Sequence, residues 1–195
     1  VLSEFTSLLK GEDIDFVGFK GPAVASWYAS PWCRTMGDID FYVPEWDYER
    51  ALSLIQQKLK LTVERCDVDK HDSFSYRGIR FEMHYQMETF GAGKHQRYFS
   101  ALVDKEIKDG RLGHFCVSTG VQVPMLSPEA DLILVFKHMF NHLICTEFHS
   151  GDTYMTATAS AAFYYISSLC GKSGRYNIVY LRGHTVEILS KLVSF

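Results

Sequence analysis

The sequence predicts an α/β (α+β) domain, strands flanked by helices, followed by a helical part. Three observations carry this. Thr35–Val43 is an apolar run broken by Asp38 and Asp40 and closed by Pro44. Ile79–Tyr85 alternates apolar and polar residues, the period of a half-buried strand. Between them Ala51, Leu52, Ile55 and Leu59 recur at helical spacing.

Taken in order, residues 2–10 place Leu2, Phe5, Leu8 and Leu9 on one helical face, closed by Gly11. Asp15–Phe19 reads as a short buried strand running into Lys20-Gly21-Pro22. Pro22 suits the first position of a helix continuing to Tyr28, with Gly21 as its cap. Such a junction aims backbone N–H groups and a positive helix end beyond the strand, which suits an anion; an ordinary glycine turn is the alternative. Ser30–Arg34 breaks the helix before the Asp-Ile-Asp strand. A helix follows from Glu45 to about Leu59. Leu61–Asp67 and Asp72–Tyr76 read as strands of a meander, with Arg77-Gly78 as the turn before Ile79–Tyr85. Lys94–Gly110 is helical, with Tyr98, Leu102, Val103 and Ile107 as its stripe. Phe115–Val117 and Val121–Val123 are short strands, and Ser127-Pro128-Glu129 opens a last helix.

Of 195 residues, 47% are apolar, ample for a core, and no run is long enough to span a bilayer. The opening Val1–Phe5 has no signal-peptide character and reads as the middle of a helix, as if the natural N-terminus lay upstream. Five scattered cysteines without a CxxC pair argue against a zinc site or a disulfide framework and point to a reducing, cytoplasmic setting. A net charge of −3 and a pI near 6.2 exclude a general nucleic-acid surface, so any nucleotide must be held locally. Residues 150–195 hold two acids, Asp152 and Glu187, against four Lys or Arg, a net +2 that leaves −5 for residues 1–149.

The chemistry centres on the acid pair. Alternation along a strand points Asp38 and Asp40 the same way while Ile39 and Phe41 point inward. Two neighbouring carboxylates repel, and a divalent cation between them resolves the conflict; hard oxygen ligands suit Mg²⁺. Two solvated acids at a strand end are the plain alternative. Arg34 suits bidentate phosphate binding or, equally, a salt bridge to one of the acids. Arg80, Glu82 and His84 share one face of their strand. An acid flanked by Phe81 and Met83 needs a partner. Should this strand lie beside Asp38-Ile39-Asp40, Glu82 becomes a third carboxylate; on an edge strand it would pair with Arg80 or Lys70. His138 and His142 share a helical face at metal-binding spacing, without the Glu of a metalloprotease helix.

Gly18-Phe19-Lys20-Gly21, Arg34-Thr35-Met36-Gly37-Asp38-Ile39-Asp40, Phe81-Glu82-Met83-His84 and Ser127-Pro128-Glu129 leading to His138 and His142 resemble, in this order, the uncharacterised nucleotidyltransferase family of bacteria. That family belongs to the polymerase-beta-like nucleotidyltransferase superfamily. The resemblance covers about residues 10–145. It implies a mixed sheet carrying three carboxylates, up to two metal ions, and transfer of a nucleoside monophosphate from a nucleoside triphosphate to a hydroxyl acceptor. Asp38, Asp40 and Glu82 are then the catalytic and metal-binding residues, Asp40 bridging two Mg²⁺ ions and Glu82 accepting the proton of the attacking hydroxyl. Lys20, Gly21 and Arg34 hold the triphosphate, with Gly37 and His84 also among the nucleotide-binding residues. Like charges in one pocket oppose folding, so neutralising Asp40 or Glu82 is expected to raise metal-free stability.

This reading divides the chain into a catalytic domain over residues 1–126, a helical segment over 127–170 and a tail over 171–195. The acceptor is a small molecule or a protein, and no membrane is involved. Two departures stand out. The superfamily has Gly-Ser where this chain has Lys20-Gly21, and the family's Gly-x-Gly-Leu-Arg-Gln-like stretch beyond His-x-x-x-His is missing. A shifted reading frame near residues 146–150 would account for the second. The rivals are a non-catalytic nucleotide-binding or toxin–antitoxin-type protein of the same fold, and a helix-bundle metal hydrolase built on His138 and His142.

Overall fold

A computed structural model describes residues 1–145 apart from Ala29, Thr35, 67–69, 91–92 and 118–119, and for 139–145 the helical backbone alone. Two compact units divide the chain, Val1–Asp131 and Leu132–Phe195. The expectations for the tail, and most of those for residues 127–170, lie outside the described residues.

The first unit is built on a four-stranded sheet. Its strands are β1 (Val17–Phe19), β2 (Asp38–Tyr42), β3 (His71–Tyr76) and β4 (Ile79–His84), in the spatial order β1-β2-β4-β3. β2 and β4 are parallel, whereas β1 and β3 run antiparallel to their neighbours, which makes a mixed sheet. The parallel pair needs a crossover, and α3 (Glu45–Gln57) together with β3 provides the connecting chain. β3 and β4 close through Arg77 and Gly78, both at positive φ (51° and 77°), as a two-residue hairpin of primed type requires.

One face of the sheet is dry. Phe5 from α1 (Leu2–Gly11) meets Phe41 of β2 at a ring separation of 5.0 Å and Phe81 of β4 at 4.8 Å. Phe74 of β3 stacks on Phe81 at 5.3 Å. Ala51, Leu52, Leu54 and Ile55 of α3 join the same cluster. Aromatic pairs of this kind add about 0.5–1.5 kcal/mol each beyond burial. The alternation that buries Phe41, Phe81 and Met83 sends Asp38, Asp40, Glu82 and His84 to the opposite face.

A second sheet pairs β5 (Gly113–Cys116) with β6 (Gln122–Met125). It lies against β1 so closely that a Cβ on Gly18 would sit 3.1 Å from Val123 Cγ1. α4 spans Gly93–Lys108 and α5 spans Pro128–Cys145. Ser127 caps α5 through Oγ, which accepts from the Ala130 N–H at 3.3 Å, and its own N–H donates to buried Glu106 at 3.0 Å.

Three local expectations change. The helix after Lys20, α2, stops at Ala25 instead of reaching Tyr28; the Ser26 hydroxyl donates to Ala23 O at 2.6 Å and competes with continuation. The strand expected over 61–67 is reduced among its described residues to one bridge, Glu64 to Ser73, because the Cys66 N–H is taken by Asp72 Oδ1 at 3.1 Å. On α4 the buried stripe is Phe99, Val103, Glu106 and Ile107, while Tyr98 is 68% exposed.

Candidate active site

The parallel register settles where Glu82 stands. Asp40 and Glu82 are direct partners across β2 and β4, and Asp38 lies opposite Arg80 two residues earlier. All four side chains therefore belong to one face. β4 is an inner strand, so the edge-strand alternative for Glu82 does not hold, although Arg80 Nε does lie 3.3 Å from Glu82 Oε1.

Asp40 is 4% exposed and doubly supported. Lys20 Nζ donates to its Oδ1 at 3.2 Å, and His84 Nε2 lies 2.9 Å from the same atom. Burial by itself would raise the Asp40 pKa, but the His84 hydrogen bond and the Lys20 ammonium outweigh it and bring it below the ordinary carboxylate value. The His84 hydrogen bond likewise holds Glu82 low against burial, with His71 helping. Asp38 differs. Burial first, and then the charges of Asp40 and Glu82, push its carboxyl above the usual range. The expected relief of repulsion therefore belongs to Asp38, whereas Asp40 and Glu82 are compensated.

Lys20 reaches Asp40 from the turn between β1 and α2, where its backbone takes φ 49°, ψ −125°. A side chain rarely adopts that conformation, and holding it costs on the order of 1–3 kcal/mol. Gly21 follows and is buried; a Cβ there would lie 3.2 Å from the Asp38 carbonyl oxygen, so the turn sits directly against β2. α2 is only five residues long, Gly21–Ala25, which leaves little of the expected helix dipole. Arg34 makes no ion pair with either acid. Its guanidinium donates to Gly21 O at 3.1 Å, and its buried Nε has no hydrogen-bond partner. Gly37 is exposed in the bend before β2. His84, expected at the nucleotide, is 2% exposed, and its Nε2 reaches the carboxylates instead.

The sequence reading did not single out His71. It lies opposite His84 on β3, with ring centroids 4.8 Å apart and Nε2 3.5 Å from Glu82 Oε1. Strand parity alone places His71 on the face of Ser73 and Ser75, but only the antiparallel register brings it to Glu82. His71, Glu82 and His84 offer three ligand atoms within 4.8 Å of one another. His138 is half-buried on α5, and the side chain of His142 lies outside the described residues.

No helix among the described residues is long and apolar enough to cross a membrane. Cys33 and Cys116 are free thiols.

Known proteins agree with this architecture. A crystal structure of ANT(2")-Ia in complex with adenylyl-2"-tobramycin is similar in fold, with a TM-score of 0.60 at 12% identity over 97% of this chain and 95% of that one. The solution structure of ANT(2'')-Ia gives 0.57 at 14% identity over 98% and 92%. An antigenic nucleotidyltransferase-like protein from Paracoccidioides brasiliensis gives 0.52 at 15% identity over 85% and 73%. Among curated proteins none matches the chain. The model of one family, described as uncharacterised nucleotidyltransferase, matches residues 2–151. That span takes in the whole sheet and every carboxylate on its polar face, and the chain belongs to the uncharacterised nucleotidyltransferase family and is, by that membership, a nucleotidyltransferase.

Proposed function

We propose that the protein transfers a nucleoside monophosphate from a nucleoside triphosphate to a hydroxyl acceptor, releasing pyrophosphate, with Mg²⁺ at Asp38, Asp40 and Glu82. One observation carries the proposal: the in-register pairing of Asp40 with Glu82, with Asp38 on the same face. The donor set fits the ion. All three are hard oxygen ligands, and burial together with the charges of Asp40 and Glu82 raises the Asp38 carboxyl, a conflict that a bound cation would relieve. Bound magnesium, one ion or two held by these carboxylates, would neutralise charge on the triphosphate and the departing pyrophosphate.

The chain's own residues do the rest. Lys20 and Arg34 flank the turn at Gly21 and bring two positive charges to the triphosphate; the buried, unpartnered Nε of Arg34 is a donor available to a phosphate oxygen. His84 acts through the carboxylates, holding Asp40 in place from behind. Glu82, kept ionised by His84 and His71, accepts the proton of the attacking hydroxyl. The acceptor class follows the fold neighbour found with adenylyl-2"-tobramycin: a small hydroxyl-bearing molecule.

Calorimetric titration of ATP, GTP, CTP and UTP with and without Mg²⁺ tests the proposal. Metal-dependent heat for at least one nucleotide is expected, abolished in Asp38→Asn and weakened in Arg34→Glu while both variants stay folded. Absence of metal-dependent heat for all four would favour a non-catalytic member of the same fold.

A further inference from the structure

The polar face holds a second donor set, softer than the carboxylates. His71 on β3, Glu82 on β4 and His84 at the end of β4 converge with three ligand atoms within 4.8 Å of one another. His71 Nε2 lies 3.5 Å from Glu82 Oε1, and His84 Nε2 lies 3.7 Å from Glu82 Oε2. Zinc bonds of about 2.0–2.1 Å at tetrahedral angles place ligand atoms about 3.4 Å apart. Both measured separations, one to each oxygen of Glu82, are close to that spacing. From these contacts we propose that His71, Glu82 and His84 form a binding site for a borderline divalent transition-metal ion of the Zn²⁺ type, distinct in chemistry from the carboxylate set.

Two imidazoles and one carboxylate suit Zn²⁺ and its neighbours and suit Mg²⁺ poorly, because magnesium prefers oxygen ligands and sheds water reluctantly. The ligands are also held. The His84 ring is fully buried, with Phe19 packed edge-on at 4.9 Å and its Nδ1 facing Gln86 O at 3.4 Å, which leaves Nε2 toward Asp40 and Glu82. The register of β3 against β4 fixes His71 opposite His84. Three protein ligands leave a fourth position for water or a phosphate oxygen. Metal binding takes the Nε2 of His84 from Asp40. Given the proposed function, the ion also withdraws Glu82 from the magnesium set and would inhibit transfer.

Cobalt titration of the full-length, nucleotide-free protein tests the site, since four- and five-coordinate Co²⁺ absorbs visibly. One saturable Co²⁺ per chain is expected, displaced by Zn²⁺ and not by a large excess of Mg²⁺. His71→Ala should weaken it by more than about tenfold, since even changes to groups behind a ligand commonly cost about 10–100-fold. Circular dichroism confirms that each variant is folded, and His71→Gln replaces His71→Ala should the latter unfold. Unchanged Co²⁺ affinity in the folded His71 variant, or no saturable band in the parent, overturns the site. Because no nucleotide is present, loss of this site and loss of Mg²⁺-dependent nucleotide binding are separate results.

Discussion

Asp131 offers a pH prediction with a definite size. It stands in the first turn of α5, 1% exposed, and neither carboxylate oxygen has a hydrogen-bond partner of ordinary geometry. Burial pushes its carboxyl up to about 7, with the Trp27 indole N–H offsetting only part of the effect. The helix dipole favours the charged form here by about 0.3–1 kcal/mol, too little to reverse the burial. A folded-state pKa above the unfolded value of 3.8 means that the native protein holds the proton longer. Stability from this group is complete below about pH 4, falls as pH rises toward 7, and is constant above. A gap of about three units at 1.36 kcal/mol each amounts to about 4 kcal/mol. Asp131→Asn keeps the shape and removes the titration. Urea unfolding of parent and variant between pH 4 and 8, followed by tryptophan fluorescence, reads the difference. The variant should gain on the parent steadily from pH 4 to 7 by about 4 kcal/mol and then hold that lead. A difference that stays flat across the range would show that Asp131 is ionised in the native protein and refute the reasoning.

The carboxylates of the polar face should sort differently from one another in EDTA. Asp38→Asn should melt above the parent, because it removes the charge that burial, Asp40 and Glu82 oppose, whereas Asp40→Asn should melt below it through loss of the Lys20 and His84 contacts. Thermal melts that rank them the other way would contradict this electrostatic picture. On the dry face, Phe81→Ala should cost about 3–5 kcal/mol in urea unfolding, since it leaves a cavity among Phe5, Phe41 and Phe74. Gly21→Ala should weaken nucleotide binding in calorimetry, because the new methyl forces the turn away from the Asp38 carbonyl; unchanged affinity would show that the turn yields freely.

Much of the site follows from local pattern. The period of two put Asp38 and Asp40 on one face and Ile39 and Phe41 on the other, and the same parity set Glu82 and His84 against Phe81 and Met83. Ser127-Pro128 marked its helix start, and Arg77-Gly78 its hairpin, because caps and tight turns depend on a few adjacent residues. Tertiary structure decided the partners. Glu82 faces Asp40 because β4 is an inner strand parallel to β2, and His71 joins Glu82 through an antiparallel register on the other side. Lys20 turned out to hold Asp40, and Arg34 to hold Gly21, a choice between cations that sequence left open. Local alternation says which face a side chain takes and nothing about which distant strand lies alongside. That choice is made where Phe41, Phe74 and Phe81 pack together beneath Phe5, since a one-residue slip of a strand would turn its ring into water and its polar side chains into the core.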